Sequence, residues 1–153
     1  MDAGEAIARE QIRDVISRYN HAGDRGDLET LARCFCEDGV LDLEGEDACA
    51  GRAAILRRLS SVVSDSIARG ERAFVRHHVS SVKIDLTGPD SATAASYFLV
   101  FTEIGLDHWG RYLDRLARND GAWQFAHRKV RLDGAAPHSS MVRGNAAQPT
   151  RSR

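Results

Sequence analysis

HWGRYLDRLARNDGAWQFAHRKVRL, residues 108–132, decides the architecture. It reads as two strands, roughly His108 to Arg118 and Ala122 to Leu132, and Asn119-Asp120-Gly121 between them supplies the turn residues of a tight hairpin. Working backward, about Ala92 to Glu103 reads as another strand. Thr87-Gly88-Pro89-Asp90 is a turn, and the Val-, Ile- and His-rich stretch from about Phe74 to Leu86 is a fourth strand. Four long strands joined by short turns make an antiparallel meander.

The N-terminal half has a different period. From Glu5 to about Ala22, Ile12, Val15, Ile16 and Tyr19 fall at i, i+3, i+4 and i+7, the stripe of an amphipathic helix. Gly23-Asp24-Arg25-Gly26-Asp27 breaks that pattern, and Asp27 is placed to cap a short second helix carrying Leu28, Leu31 and Phe35. Val40 to Leu43 reads as a short strand and Glu44 to Ala50 as a loop or weak hairpin. A third helix follows from Gly51 to about Ala68, with Ile55, Leu59, Val62, Val63 and Ile67 as its buried face and Gly70 at its end.

Helices first and strands afterwards predict an α+β fold. Its antiparallel sheet, twisted and curled around the N-terminal helices, forms a cone with an internal cavity. Residues 1–134 form that domain. Residues 135–153 hold Ala, Gly, Pro, Ser and Arg without periodicity and read as a flexible tail.

The chain's 153 residues suit one domain, and its 42% hydrophobic and 28% charged residues are those of a globular protein. Twenty-one basic and twenty-two acidic residues nearly cancel, which leaves no net field to draw nucleic acid or an anionic membrane. The acidic start, Met1 to Glu5, lacks the basic and apolar regions of a secretion signal, and the longest apolar run, Tyr97 to Phe101, is too short to cross a bilayer. A cytoplasmic protein is expected. Cys34, Cys36 and Cys49 read as reduced structural thiols. No metal is expected, because His77-His78 lacks chelating spacing and no carboxylate cluster accompanies it; no glycine-rich phosphate loop or other cofactor signal appears.

The chain resembles the SnoaL-like group of the nuclear-transport-factor-two-like superfamily, relatives of scytalone dehydratase, ketosteroid isomerase and bile acid dehydratase. The resemblance is carried by Arg18 to Leu28 with Phe35 and Asp38-Gly39-Val40, by Arg76 to Ser81, by Gly110 to Asp114, and by Gly121 to Phe125 leading to Arg128. It implies a cone-shaped domain, a cofactor-independent lyase or isomerase of dehydratase type, a hydrophobic cyclic or polyketide-like substrate, and a homodimer. The fold also hosts polyketide cyclases, epoxide hydrolases and non-catalytic binding or assembly modules such as dioxygenase small subunits.

Asp27 explains the helix cap, so Asp24 has no structural task of its own. The resemblance places it in the cone, where an apolar setting would raise its pKa toward acid/base use. Tyr19 lies on the apolar stripe, and the bile acid dehydratase pattern has a tyrosine at this spacing in the site. His77 and His78 point to opposite faces of one strand. Plain alternation groups His78 with Val82, Ile84 and Leu86, whereas Val75 and Val79 make the His77 face apolar too. The resemblance places its histidine four residues before a small polar position, here Ser81, and so selects His77, which needs a β-bulge. Likewise alternation puts Arg131 on the Trp123 side, and Arg128 needs a bulge to join it; the resemblance gives precedent for either arginine as a binder of a leaving group or oxyanion. Asp24, His77 and Tyr19 are thus the expected catalytic residues. Arg128, Arg131, His78, Tyr97 and Tyr112 are the expected substrate-binding ones.

Overall fold

A computed structural model describes residues 2–68, 70 and 74–139. The first helix, α1, runs Ala3–Arg25 and buries Ile12, Val15, Ile16 and Tyr19 along the expected stripe. Its N-cap is Asp2, whose carboxylate accepts from the Glu5 backbone N–H at 2.8 Å. The helix does not stop at Gly23 but carries on to Gly26, whose φ of 71° provides the left-handed C-cap. Asp24 is therefore in the last helical turn and not in a loop. Asp27 caps α2 (Leu28–Arg33) by accepting from the Thr30 N–H at 3.0 Å, and Phe35 already belongs to the strand that follows.

That strand, β1 (Phe35–Leu43), forms a hairpin with the two-residue β2 (Cys49–Ala50), and α3 (Arg52–Ala68) follows. Ile55 of α3 is fully buried and Leu59 packs against the core, but Val62 and Val63 are 40% and 38% exposed. Of the apolar face expected of α3, Ile55 and Leu59 are thus packed inward, whereas Val62 and Val63 are not. The side chain of Ile67 is outside the described residues.

The meander is β3 (Arg76–Gly88), β4 (Ser91–Thr102), β5 (Gly105–Asn119) and β6 (Ala122–Ala135), antiparallel throughout. One six-stranded sheet results, in the order β2-β1-β6-β5-β4-β3. It is mixed, because β1 lies beside β6 and runs parallel to it. An antiparallel sheet was expected; the difference arises because α3 carries the chain from β2 to the far edge before the meander folds back. The sheet curves, with register shifts in every long pairing, and it stays open between β2 and β3.

Helix α1 lies in the concave side against β3 and β6. Alternation along β4 is clean: Ala92, Ala94, Ser96, Phe98 and Val100 are buried, while Tyr97 and Leu99 are 55% and 40% exposed. Strand β6 extends to Ala135, and residues 136–139 stay attached. The Ala136 N–H donates to Asp107 O at 2.7 Å, and the buried Ser139 hydroxyl donates to the Asp107 carboxylate. Ordered structure therefore reaches past the expected start of the tail at 135, and the rest of that tail, 140–153, lies outside the described residues. No described helix is long and apolar enough to cross a membrane.

Candidate active site

Helical periodicity builds one wall of the site. Ile16, Asn20 and Asp24 recur every four residues and form a row along α1. The opposite wall is β3, and the row facing it is His77, Val79 and Val82. Those six residues line a cleft of about 230 Å³.

A bulge aligns that second wall. Ser80 pairs with Tyr97 and Lys83 with Ala95, so β3 has one residue more than its partner between these pairs. Ser81, with a φ of 52°, takes up the difference. The side-chain alternation is reset there, so that His77 and Val79 face inward together with Val82, Ile84 and Leu86. His78 consequently faces outward, is exposed, and packs edge-on against Phe101 at 5.1 Å.

Asp24 and His77 meet across the cleft. His77 Nδ1 is 2.6 Å from Asp24 Oδ1, and the His77 backbone N–H donates to Oδ2 of the same carboxylate at 3.1 Å. The side chains are 10% and 23% exposed, respectively. Burial alone would push the Asp24 carboxyl up. The hydrogen bonds from the His77 ring and backbone, with Arg76 nearby, outweigh that and hold it below its ordinary value. This corrects the expectation of a raised pKa: at neutral pH Asp24 is a carboxylate. It is therefore an acceptor, which requires His77 Nδ1 to carry the proton and leaves Nε2 free of partners among the described residues.

Beneath the cleft the cone is filled. Arg128 is fully buried and forks onto Asp114 (Nε to Oδ1 2.9 Å, Nη2 to Oδ2 2.7 Å). The rings of Tyr19, Tyr112 and Phe125 surround its guanidinium at 4.3, 4.1 and 4.0 Å. It reaches this position through a bulge at Ala126, since Phe125 pairs with Leu116 and His127 with Arg115. Tyr19 packs edge-on to Phe35, Tyr112 and Phe125 and does not line the cleft. Tyr112 is buried as well, donating to Asn20 Oδ1 at 3.3 Å. Burial raises the pKa of both phenols, only partly offset by Arg128.

Of the expected residues, Asp24 and His77 thus face each other, with Tyr19, Tyr112 and Arg128 in the layer below. His78, Tyr97 and Arg131 do not join them, which corrects their placement in the cavity. Arg131 is on the convex face with Lys129 and His127, all within 3.7–3.8 Å of the Asp42 carboxylate. Tyr97 is on the convex face because its neighbours Ser96 and Phe98 take the concave one.

Sequence reasoning missed Asn20, whose Nδ2 donates to Ile16 O at 2.8 Å while its Oδ1 accepts from Tyr112. The available signal was a polar residue midway between Ile16 and Asp24 on one helical row. It also missed Asp107, which His108 Nδ1 contacts at 2.8 Å. Among the described residues, no three His, Cys, Asp or Glu side chains converge as a metal site would require.

Residues 4–129 match the model of the SnoaL-like domain. Among solved structures, a variant of Rv3472, a protein of unknown function from Mycobacterium tuberculosis, is 32% identical, with 84% of this chain and 73% of that one covered at a TM-score of 0.71. A nuclear-transport-factor-two-like protein with a cystatin-like fold from Novosphingobium aromaticivorans is 27% identical (89% and 86% covered, TM-score 0.70). A candidate scytalone dehydratase from the same organism shares the fold at 23% identity (89% and 91% covered, TM-score 0.77). Among proteins of curated function, none matches.

Proposed function

The chain belongs to the SnoaL-like domain family, and from that premise we propose that it is a cofactor-independent lyase or isomerase acting on a hydrophobic, cyclic or polyketide-like small molecule. The observation that supports this most is the grip of Asp24 on His77, at both ring and backbone, beside an open cleft. Neutral His77 takes a proton from a carbon next to a carbonyl through Nε2. Asp24 keeps the imidazole in that tautomer and stabilises the imidazolium that forms. Because its carboxyl is held ionised, Asp24 serves as orienter and counter-charge and not as the acid toward a leaving group.

Arg128, locked under three rings, and Tyr19 support the floor of the site. The exposed apolar residues of the convex face, Tyr97, Leu99 and Leu113, are assigned to a homodimer contact. The three free cysteines suit a cytoplasmic setting.

A non-catalytic assembly module, with its cavity largely filled by side chains, is favoured by one observation, the modest volume of the cleft, which falls below the ~300 Å³ at which ligand pockets usually begin. Incubating the protein with 2-tetralone in D₂O and following loss of the α C–H signal by NMR separates the readings. Accelerated exchange supports proton abstraction. An exchange rate equal to that without protein supports the module.

A further inference from the structure

The ladder pairings place His77, Val100 and His108 in one row across β3, β4 and β5. Directly paired residues share a face, and Val100 is on the buried, concave one, so both imidazoles are there too. Strand spacing puts their Cα atoms about 10 Å apart. Val100 itself is fully shut off, whereas the two histidine side chains keep 23% and 17% exposure. His77 lines the cleft, and His108 lies two strands further along the same row, beyond the cleft's lining.

His108 repeats the arrangement of His77. Its Nδ1 is 2.8 Å from Asp107 Oδ2. The Asp107 carboxylate, 4% exposed, also accepts from the Thr102 hydroxyl at 3.0 Å and from the Ser139 hydroxyl. Burial would raise its pKa, but these three donors together bring it below the ordinary value. Asp107 is then purely an acceptor, and His108 Nδ1 must be the N–H. Burial also pushes the pKa of His108 down, with Asp107 offsetting it only in part and the neighbouring His77 adding to the depression. At neutral pH its Nε2 carries a lone pair and has no partner among the described residues. An imidazole that served only to anchor Asp107 would need neither the residual exposure nor a position in the row of His77.

We propose that His108 is a second substrate-facing group of this site, accepting through Nε2 a hydrogen bond from a hydroxyl on the substrate. This rests on the proton-abstraction reading above and adds a substrate class to it. The substrate carries an acidic C–H for His77 and, several bonds away, a phenolic or enolic hydroxyl for His108, so hydroxylated rings are accepted in preference to bare hydrocarbons.

The test uses ¹⁵N-labelled protein with long-range ¹H–¹⁵N NMR of the histidine rings, and 2-naphthol and naphthalene as probes. The expected result is a His108 with its proton on Nδ1 and Nε2 signals of both His77 and His108 that move with 2-naphthol, while naphthalene leaves Nε2 of His108 in place. His108→Phe is expected to weaken 2-naphthol roughly three- to tenfold without weakening naphthalene, and His108→Gln, which keeps an acceptor, to recover part of the loss. A 2-naphthol response at His77 alone overturns the role of His108 and leaves the proposed function standing. No response at either histidine overturns both. A His108 proton resident on Nε2 also overturns the inference, on the wild-type chain and without any variant.

Discussion

Ser81, four residues after His77, decides which face of the sheet the imidazole occupies, because its left-handed backbone (φ 52°) absorbs the one-residue excess of β3 over β4. A non-glycine residue in that region costs on the order of 1 kcal/mol, and glycine removes the cost. Ser81→Gly is therefore expected to keep the cleft and to match or exceed wild-type stability by up to ~1 kcal/mol in urea unfolding. Deleting Ser81 removes the bulge and turns His77 outward, which should abolish any activity of the site in a chain that still folds. Retained activity in the deletion would mean that the bulge does not position His77.

The Arg128–Asp114 pair is fully buried, so removal of one partner strands the other charge. Arg128→Met and Asp114→Leu are each expected to cost roughly 3–5 kcal/mol by denaturant unfolding, and the double variant much less than their sum. Single substitutions costing under ~1 kcal/mol would show that the guanidinium is not the anchor of the three rings.

The folded-state pKa values of Tyr19 and Tyr112 are raised by burial. Their stabilising contribution is complete below the unfolded-state value of ~10 and is lost as pH climbs toward the folded-state values, since the unfolded chain ionises first. Stability measured at about pH 8, 10 and 11 should decline above ~10. In Tyr19→Phe/Tyr112→Phe that decline should be shallower; an equal slope would place the alkaline loss elsewhere.

Leu99 and Leu113, 40% and 42% exposed on the convex face, test the assigned dimer. Light scattering is expected to give a dimer for the wild type and a monomer for Leu99→Glu/Leu113→Glu. A wild-type monomer would contradict the assignment.

The fold was largely legible because its signals are local. The 3.6-residue stripe from Ile12 to Tyr19 and the hairpin at Asn119-Asp120-Gly121 need no tertiary information. The pairing of β1 with β6 was not legible, since nothing in Phe35–Leu43 names a partner some ninety residues away. The site was legible where the resemblance named residues and obscure where geometry depended on bulges. Alternation alone favoured His78 and Arg131, and one extra residue at Ser81 and another at Ala126 reversed both choices. Asp107 escaped notice because its partners Thr102, His108 and Ser139 come from three separate stretches of chain.

The central claim is that Asp24 and His77 form a proton-abstracting pair. The most direct measurement is the rate of α C–H exchange of 2-tetralone in D₂O for the wild type, Asp24→Asn and His77→Gln, with folding of each checked by circular dichroism. The expected result is clear exchange by the wild type and a fall of roughly 10²- to 10⁴-fold in each variant. Wild-type rates in both folded variants would contradict the claim.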